Sequence, residues 1–397
     1  MGALEPIVAT LDEFRGIRRD IHAHPELKYE ESRTADLVAA KLSEWGIEVT
    51  RGLGKTGLVG KIKAGGSARS IGLRADMDAL PVQEANDFAH RSVHPGKMHA
   101  CGHDGHTTML LAAAKHLAAS RNFDGTVHLI FQPAEEGGGA GARAMIEDGL
   151  FKRFPCDAVF GLHNRPAMKV GAFGVRPGPM LASSSQFEIV VKGRGGHAAY
   201  PHDTVDPIAV GAQIHLALQT VISRNKRPID AGVLSVTQFN AGSATNIIPD
   251  DAVLRGTVRT FTVEVLDLIE SSMRRITGHV AAAHGASVEF NLKRSYPPTI
   301  NHVRETQFAV EVMRDLVGSD NVDAELDPSM GGEDFSFMLL EQPGCYAFIG
   351  NGEGGHRDAG HADGPCLLHN PTYDFNDELI ALGASYWVRT TWISPHR

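Results

Sequence analysis

Residues 98–108 read MHACGHDGHTT and run directly into the apolar stretch MLLAAAKHLAA at 109–119. One cysteine, three histidines and one aspartate fall within eleven positions, at the mouth of a helix expected over His106–Ser120. Neither a hydrophobic core nor a solvated face accounts for that many soft and borderline ligands. Cys101 and His103 flank Gly102, so a turning backbone lets both side chains reach one point. A thiolate beside an imidazole suits Zn, Mn, Co or Ni better than Mg or Ca. Taken alone, the stretch also reads as a His-rich loop capping a helix. The elements around it decide between the two, because they place further ligands where strands end, as open α/β sheets do.

On the N-terminal side, helical spacing predicts helices over Leu11–Asp20 and Ser32–Trp45. Between them DIHAHPELKYEE reads as a surface turn, which sets aside His22 and His24 as ligands. Strands are expected at Gly57–Lys63 and Ser70–Arg74, the second leading into RADMDALPVQE. Asp76 sits at that strand end, where it could orient a metal-binding histidine through its free ring nitrogen. Asp78 reads equally well as a turn or N-cap carboxylate.

On the C-terminal side, TVHLIFQ at Thr126–Gln132 is β-rich and is followed by PAEEGGGAGARAMIEDG. Adjacent residues on an irregular backbone point different ways. Glu136 can therefore hold a metal while Glu135 faces the attacking water as general base, the pairing that metal-assisted hydrolysis needs. A helix over Ala142–Asp148 is ended by Gly149. Asp157–His163 is another short strand, with His163 at its end.

Pro, Gly and Ser over 176–185 suggest a linker. Beyond it come a strand (Gln186–Lys192), a helix (Pro207–Val221), strands (Gly232–Asn240, Asp251–Phe261), a helix (Val263–His284) and a strand (Ser287–Arg294). That βαββαβ order predicts a ferredoxin-like domain, 185–295, inserted into a mixed-sheet α/β domain of 1–184 and 296–397. His197 is offered by a Gly-rich loop, and Asn246 and Arg259 supply an amide and a cation suited to a carboxylate. After the return, Glu305–Val317 is helical, Glu333 and Asp334 cap a helix, and Cys345–Gly350 is a strand. His356 and His361 lie in a loop away from ligand roles. His369 precedes a Pro-Thr turn before a last helix, Asp377–Trp392.

The net charge of −9 over 397 residues argues against general nucleic-acid binding. Cys101, Cys156, Cys345 and Cys366 form no CxxC pair, which fits a reducing compartment. The early acidic residues exclude a secretory signal, and no apolar run is long enough to span a bilayer. The expectation is a cytoplasmic enzyme without membrane or nucleic-acid partners.

The ligand candidates are then Cys101, His103, Glu136, His163 and His369. Five exceed what one tetrahedral site with room for water requires. They suffice for two divalent ions sharing a bridge, and the Cys101 thiolate is the natural one.

Over nearly its whole length the sequence resembles the aminoacylase/hippurate hydrolase family of dinuclear metal amidohydrolases. This branch contains N-acyl-amino-acid and auxin-conjugate hydrolases and belongs to a wider metallopeptidase clan. The resemblance rests on LRADMDALPVQE, MHACGHDGHTTMLL, FQPAEEGGGA, GLHN, GRGGHAAYPHDTVDPI, TNIIPD, RGTVRTF, GGEDFS and LHNPTYDFND, in that order. Cys101 marks the branch, since related clan members are expected to carry Asp there.

The resemblance implies two divalent ions on those five ligands. Glu135 would move a proton from water to the leaving amine, and His197 would stabilise the oxyanion, in cis or across a dimer. Asn246 and Arg259 would meet the substrate carboxylate. The smaller domain would serve as lid and dimerisation surface in a homodimer or homotetramer. The implied substrate is an N-acyl amino acid. A dipeptidase or carboxypeptidase, and a non-catalytic metal-binding protein on the same fold, are the alternatives. The retained Glu135 speaks against the last, because a binding module needs only ligands.

Overall fold

The computed structural model describes residues 2–357 and 360–392. The chain is α/β and divides into two compact units. The larger comprises Met1–Met180, Ile300–Asp327 and Asp334–Arg397, and the smaller Leu181–Thr299 with Pro328–Glu333. No helix among the described residues is long and apolar enough to cross a membrane.

The larger unit is built on an eight-stranded mixed sheet. Its order is Glu48–Leu53, Gly57–Ala64, Gly125–Gln132, Ser70–Asp76, Ala158–Pro166, Gly344–Gly352, Phe173–Gly174, Val322–Asp323. The four strands Gly125–Gln132, Ser70–Asp76, Ala158–Pro166 and Gly344–Gly352 run parallel, so their carboxyl ends face one way. Such strands, covered on both faces, read as continuous apolar runs. Phe131, Leu73, Phe160 and Ile349 are accordingly buried.

Helix His103–Ser120 starts where Gly102 adopts a φ of 91°. All its residues from His103 to Ala114 are buried, as expected of a helix without a polar face. It packs against strand Ser70–Asp76 and against helices Leu11–Ala23 and Leu379–Trp392. Fully burying a side chain such as Leu110 or Leu111 contributes about 1.5–3 kcal/mol, which anchors the helix whose first turn carries the ligands.

Several expectations are corrected. No breaker precedes Pro25, so the helix Leu11–Ala23 runs past Asp20 and His22 is fully buried instead of lying on a surface turn. Strand Ala158–Pro166 extends three residues beyond His163, because pairing with Gly344–Gly352 continues. Residues 176–185 contain a strand, Gly178–Leu181. Strand Glu48–Leu53 was not anticipated. Asp334 does meet a helix N-terminus with its side chain, but that of the distant helix Gly141–Glu147. It accepts from Arg74 at 3.2 Å, Gln132 at 2.7 Å and the Ala142 amide at 2.9 Å.

The smaller unit is ferredoxin-like. Strands Ser184–Lys192, Gly232–Ala241, Asp251–Thr260 and Ser287–Tyr296 form an antiparallel sheet in the order fourth, first, third, second. Helices Pro207–Thr220 and Val263–Ala283 complete the βαββαβ sequence. Asp206 caps the first through the Ile208 and Ala209 amides, and Thr262 caps the second through Val265. Alternating Phe187, Ile189 and Val191 meet Val210, Ile214 and Leu218 from one helix, and Ile269 and Met273 from the other.

Candidate metal centre

The carboxyl ends of the parallel strands bring Asp76, the Pro133–Glu136 turn and His163 to the N-terminus of helix His103–Ser120. The turn is tight. Ala134 has a φ of 51°, and a Cβ on Gly141 would stand 1.7 Å from the Pro133 carbonyl. The turn is pinned by the Ala134 amide on Glu31 at 2.8 Å and the Glu136 amide on Asp78 at 2.9 Å. His369 has a φ of 62°, and its amide reaches the Ala100 carbonyl at 2.7 Å. Strained backbone at a ligand-bearing residue is a feature of functional sites.

Five sequence-predicted residues converge. Ligand atoms of Cys101, His103 and His163 lie within 4.8 Å of one another, and so do those of Cys101, Glu136 and His369. A third such group joins His103, Glu135 and Glu136. Cys101 Sγ is 3.4 Å from His163 Nε2, and His369 Nε2 is 3.3 Å from Glu136 Oε1. Cys101 is thus common to two ligand groups, the position a bridging thiolate needs.

The imidazoles are oriented from behind. His103 Nδ1 donates to the Asp78 carbonyl at 2.8 Å and lies 3.3 Å from Asp78 Oδ1. His163 Nδ1 donates to the Asn164 carbonyl at 2.6 Å. Each bond fixes the tautomer that leaves Nε2 as a lone pair towards the cluster. His103 Nε2 and Glu136 Oε1 are buried without an aligned hydrogen bond. Buried polar atoms seldom go unpartnered, and a thiol, two imidazole lone pairs and a carboxylate facing one another form the donor set of a borderline divalent cation. The residues therefore fit a pair of such ions.

The carboxylates and thiol gathered here draw positive charge onto His103 and His369, the charge that bound cations would replace. Contact with Cys101 and Glu136 pushes His369 up to about 10. Burial opposes ionisation of Glu136, yet His369 and His103 hold its carboxyl below the usual range. Burial and the nearby Glu136 push the Cys101 thiol up, and burial with neighbouring His106 holds His163 well down. Burial disfavours the His103 cation, but Asp76 and Cys101 raise it well above its ordinary value.

Asp76 takes a different partner from the one sought among the ligands. Its Oδ1 accepts from His106 Nδ1 at 2.7 Å, while Oδ2 stands 3.7 Å from His103 Nε2. Asp78, two residues past the strand end, is the carboxylate behind His103. His106 shares a ligand-like group with Asp76 and His103, but both its nitrogens are engaged, Nε2 accepting from Asn164 at 3.0 Å. Sequence reasoning missed His106 and Asn164, and left Asp78 open between a strand-end site residue and a turn or N-cap carboxylate. The only signal was that Asp78 repeats the carboxylate two positions after Asp76.

In the smaller unit, Gly196–His197 pairs with Ile247–Ile248, and the Ala198 amide bonds the Asn246 carbonyl at 3.0 Å. His197 is exposed. Its Nδ1 accepts from the Ala199 amide at 3.0 Å, leaving Nε2–H as donor. Arg259 lies elsewhere. It is half-buried, opposite Val233 and eight residues along the strand from Asp251, about 26 Å at roughly 3.3 Å per residue. Asn246 lies before the Asp251 end of that strand, ahead of Ile247–Ile248, and Arg259 near its other end, so one chain does not present both to a single small carboxylate.

A family model described as Peptidase family M20/M25/M40 matches residues 72–391. The chain is similar to a hippurate hydrolase of Campylobacter jejuni, 44% identical over 389 residues that cover 98% of each protein. It is also similar to IAA-amino acid hydrolase ILR1-like 4 of Arabidopsis thaliana, 41% identical over 93% of this chain and 83% of that one. Among solved structures, the Bacillus subtilis YXEP protein, described as a dinuclear metal binding peptidase from the M20 family, superposes with a TM-score of 0.82. It shares 34% identity and covers 97% of this chain and 98% of its own.

Proposed function

The chain belongs to peptidase family M20/M25/M40, and from that premise we propose that it hydrolyses the amide bond of N-acyl amino acids, releasing a carboxylic acid and an amino acid. The observation that carries the reading is the buried Cys101 thiol common to two three-ligand groups, with Glu135 in a third group beside them. Cys101, His103, Glu136, His163 and His369 would hold two divalent ions, Zn, Mn, Co or Ni. When bound, such ions supply Lewis acidity to the amide carbonyl and acidify water.

The protein's own groups do the rest. Glu135 is buried and next to Glu136 in sequence. It accepts a proton as the water oxygen bonds to the amide carbon, then returns it to the nitrogen as the C–N bond breaks. His197 Nε2–H donates to the oxyanion of the tetrahedral species. Asn246 and Arg259 bind the substrate carboxylate. Because one chain does not present both together, using both draws on a second copy of the chain, in keeping with a homodimer or homotetramer. The inserted 185–295 domain would serve as lid and dimerisation surface on the catalytic 1–184 and 296–397. Four buried, unpaired cysteines support a reducing, cytoplasmic setting.

The test is a hydrolysis screen of N-acetyl-, N-benzoyl- and N-indoleacetyl-amino acids, with unacylated dipeptides alongside, after metal loading. Cleavage of an acyl series is expected. Turnover confined to dipeptides would move the assignment to a dipeptidase or carboxypeptidase. Metal uptake with no cleavage would favour a binding protein.

A further inference from the structure

Asn164 follows the ligand His163 on strand Ala158–Pro166 and is fully buried. Every polar group it owns is used. Its carbonyl accepts from His163 Nδ1 at 2.6 Å, and its amide N–H donates to His106 Nε2 at 3.0 Å. Its side-chain Nδ2 has two hydrogens, one on the Cys101 carbonyl at 2.6 Å and one on His106 Nε2 at 3.0 Å. Its Oδ1 accepts from the Tyr373 hydroxyl at 2.7 Å. The pocket is filled to contact. A Cβ on Gly102 would stand 2.3 Å from Asn164 Nδ2 and 2.5 Å from the Tyr373 hydroxyl.

One residue therefore grips the backbone of Cys101 and the ring of His163, and is itself clamped by Tyr373 and by His106, which Asp76 fixes at 2.7 Å. These bonds reach neither Glu136 nor His369. We infer that Asn164 is a positioning residue that sets the Cys101–His163 separation, and so governs the ion held by Cys101, His103 and His163 more than the ion held by Cys101, Glu136 and His369. The chemistry is specific to an amide. An aspartate of the same shape would set acceptor oxygens against the Cys101 carbonyl and His106 Nε2, replacing two attractions by two repulsions.

The inference rests on the two-ion reading, and the experiment separates the two. Metal-free protein is titrated with Co(II), following bound ions per chain, the thiolate-to-cobalt charge-transfer band and the d–d bands. Thermal unfolding in chelator is measured on the same samples. Wild type is expected to take up two ions. Fewer than two would overturn the two-ion reading itself. Asn164→Asp is expected to keep one site within about threefold and to weaken the other about 10–100-fold, the range for losing a partner behind a ligand. Its one-ion spectrum should match that of His163→Ala, not of His369→Ala. Tyr373→Phe, which removes one hydroxyl, should give a smaller loss at the same site. Equal weakening of both ions, or unchanged affinities, would overturn the positioning role. So would a spectrum matching His369→Ala.

Discussion

Glu135 and Glu136 are adjacent and chemically identical, and their surroundings separate them. Glu136 is drawn against His369 at 3.3 Å, while Glu135 groups with His103 and Glu136 and lies outside both groups that contain Cys101. Glu135→Gln should keep both ions and lower kcat by about 10²–10⁴-fold, the usual worth of a general base. Metal analysis beside steady-state kinetics checks this, and full turnover would remove Glu135 from its role. Cys101 admits a matching pair of variants. Cys101→Ala should lose metal uptake, because both ligand groups share that atom. Cys101→Asp should retain it, since a carboxylate can also bridge, and equilibrium dialysis distinguishes them. These residues were legible because their types are costly to place anywhere else. Asp78 was legible only as one of two readings, and His106 and Asn164 were not legible at all. Each acts through a partner 25 to 63 positions away in the chain, a distance on which local pattern carries no information.

Helix Leu11–Ala23 is amphipathic at the spacing Phe14, Ile17, Ile21, yet its buried stripe also carries Arg18 and His22. Arg18 meets Asp377 at 2.6 Å and Asp374 at 3.1 Å. His22 meets Asp104 at 2.8 Å, the residue after the ligand His103. Burial disfavours the His22 cation, but Asp104 and Glu84 outweigh it and raise its pKa to about 10. The folded value exceeds the ordinary 6.5, so this contribution is complete below pH 6.5 and is lost as pH rises towards 10. Asp104 is shifted the opposite way. Its contribution is present above its ordinary value of 3.8 and is lost only in acid, so the alkaline loss belongs to His22. Urea unfolding in chelator should find His22→Gln less stable than wild type at pH 6, by on the order of a few kcal/mol, with the gap closing by pH 10. An equal gap at both pH values would contradict the assignment. The helix was visible in the sequence. Its last turn was not, because DIHAHP looks solvated until the carboxylates that neutralise it are known.

Across the molecule, the smaller unit was readable element by element, most plainly where strand Ser184–Lys192 alternates and helix Val263–Ala283 buries one apolar face. The larger sheet was readable only as strands. Its order threads Gly125–Gln132 between Gly57–Ala64 and Ser70–Asp76, a crossover that local pattern does not encode. Nor did it reveal that Pro328–Glu333 joins the smaller unit. The ligands come from segments between Cys101 and His369, so ions that bind only the assembled site stabilise the fold. An ion at a hundred times its Kd adds about 2.7 kcal/mol. Thermal scans should show a Tm some degrees higher with metal than in chelator for wild type, and little change for Cys101→Ala. The most direct test of the shared thiolate is anomalous diffraction at the metal edge from metal-loaded crystals. Two peaks roughly 3.5–4 Å apart, both in contact with Cys101 Sγ and flanked by Glu135, are expected; a single peak, or peaks away from Cys101, would contradict the account.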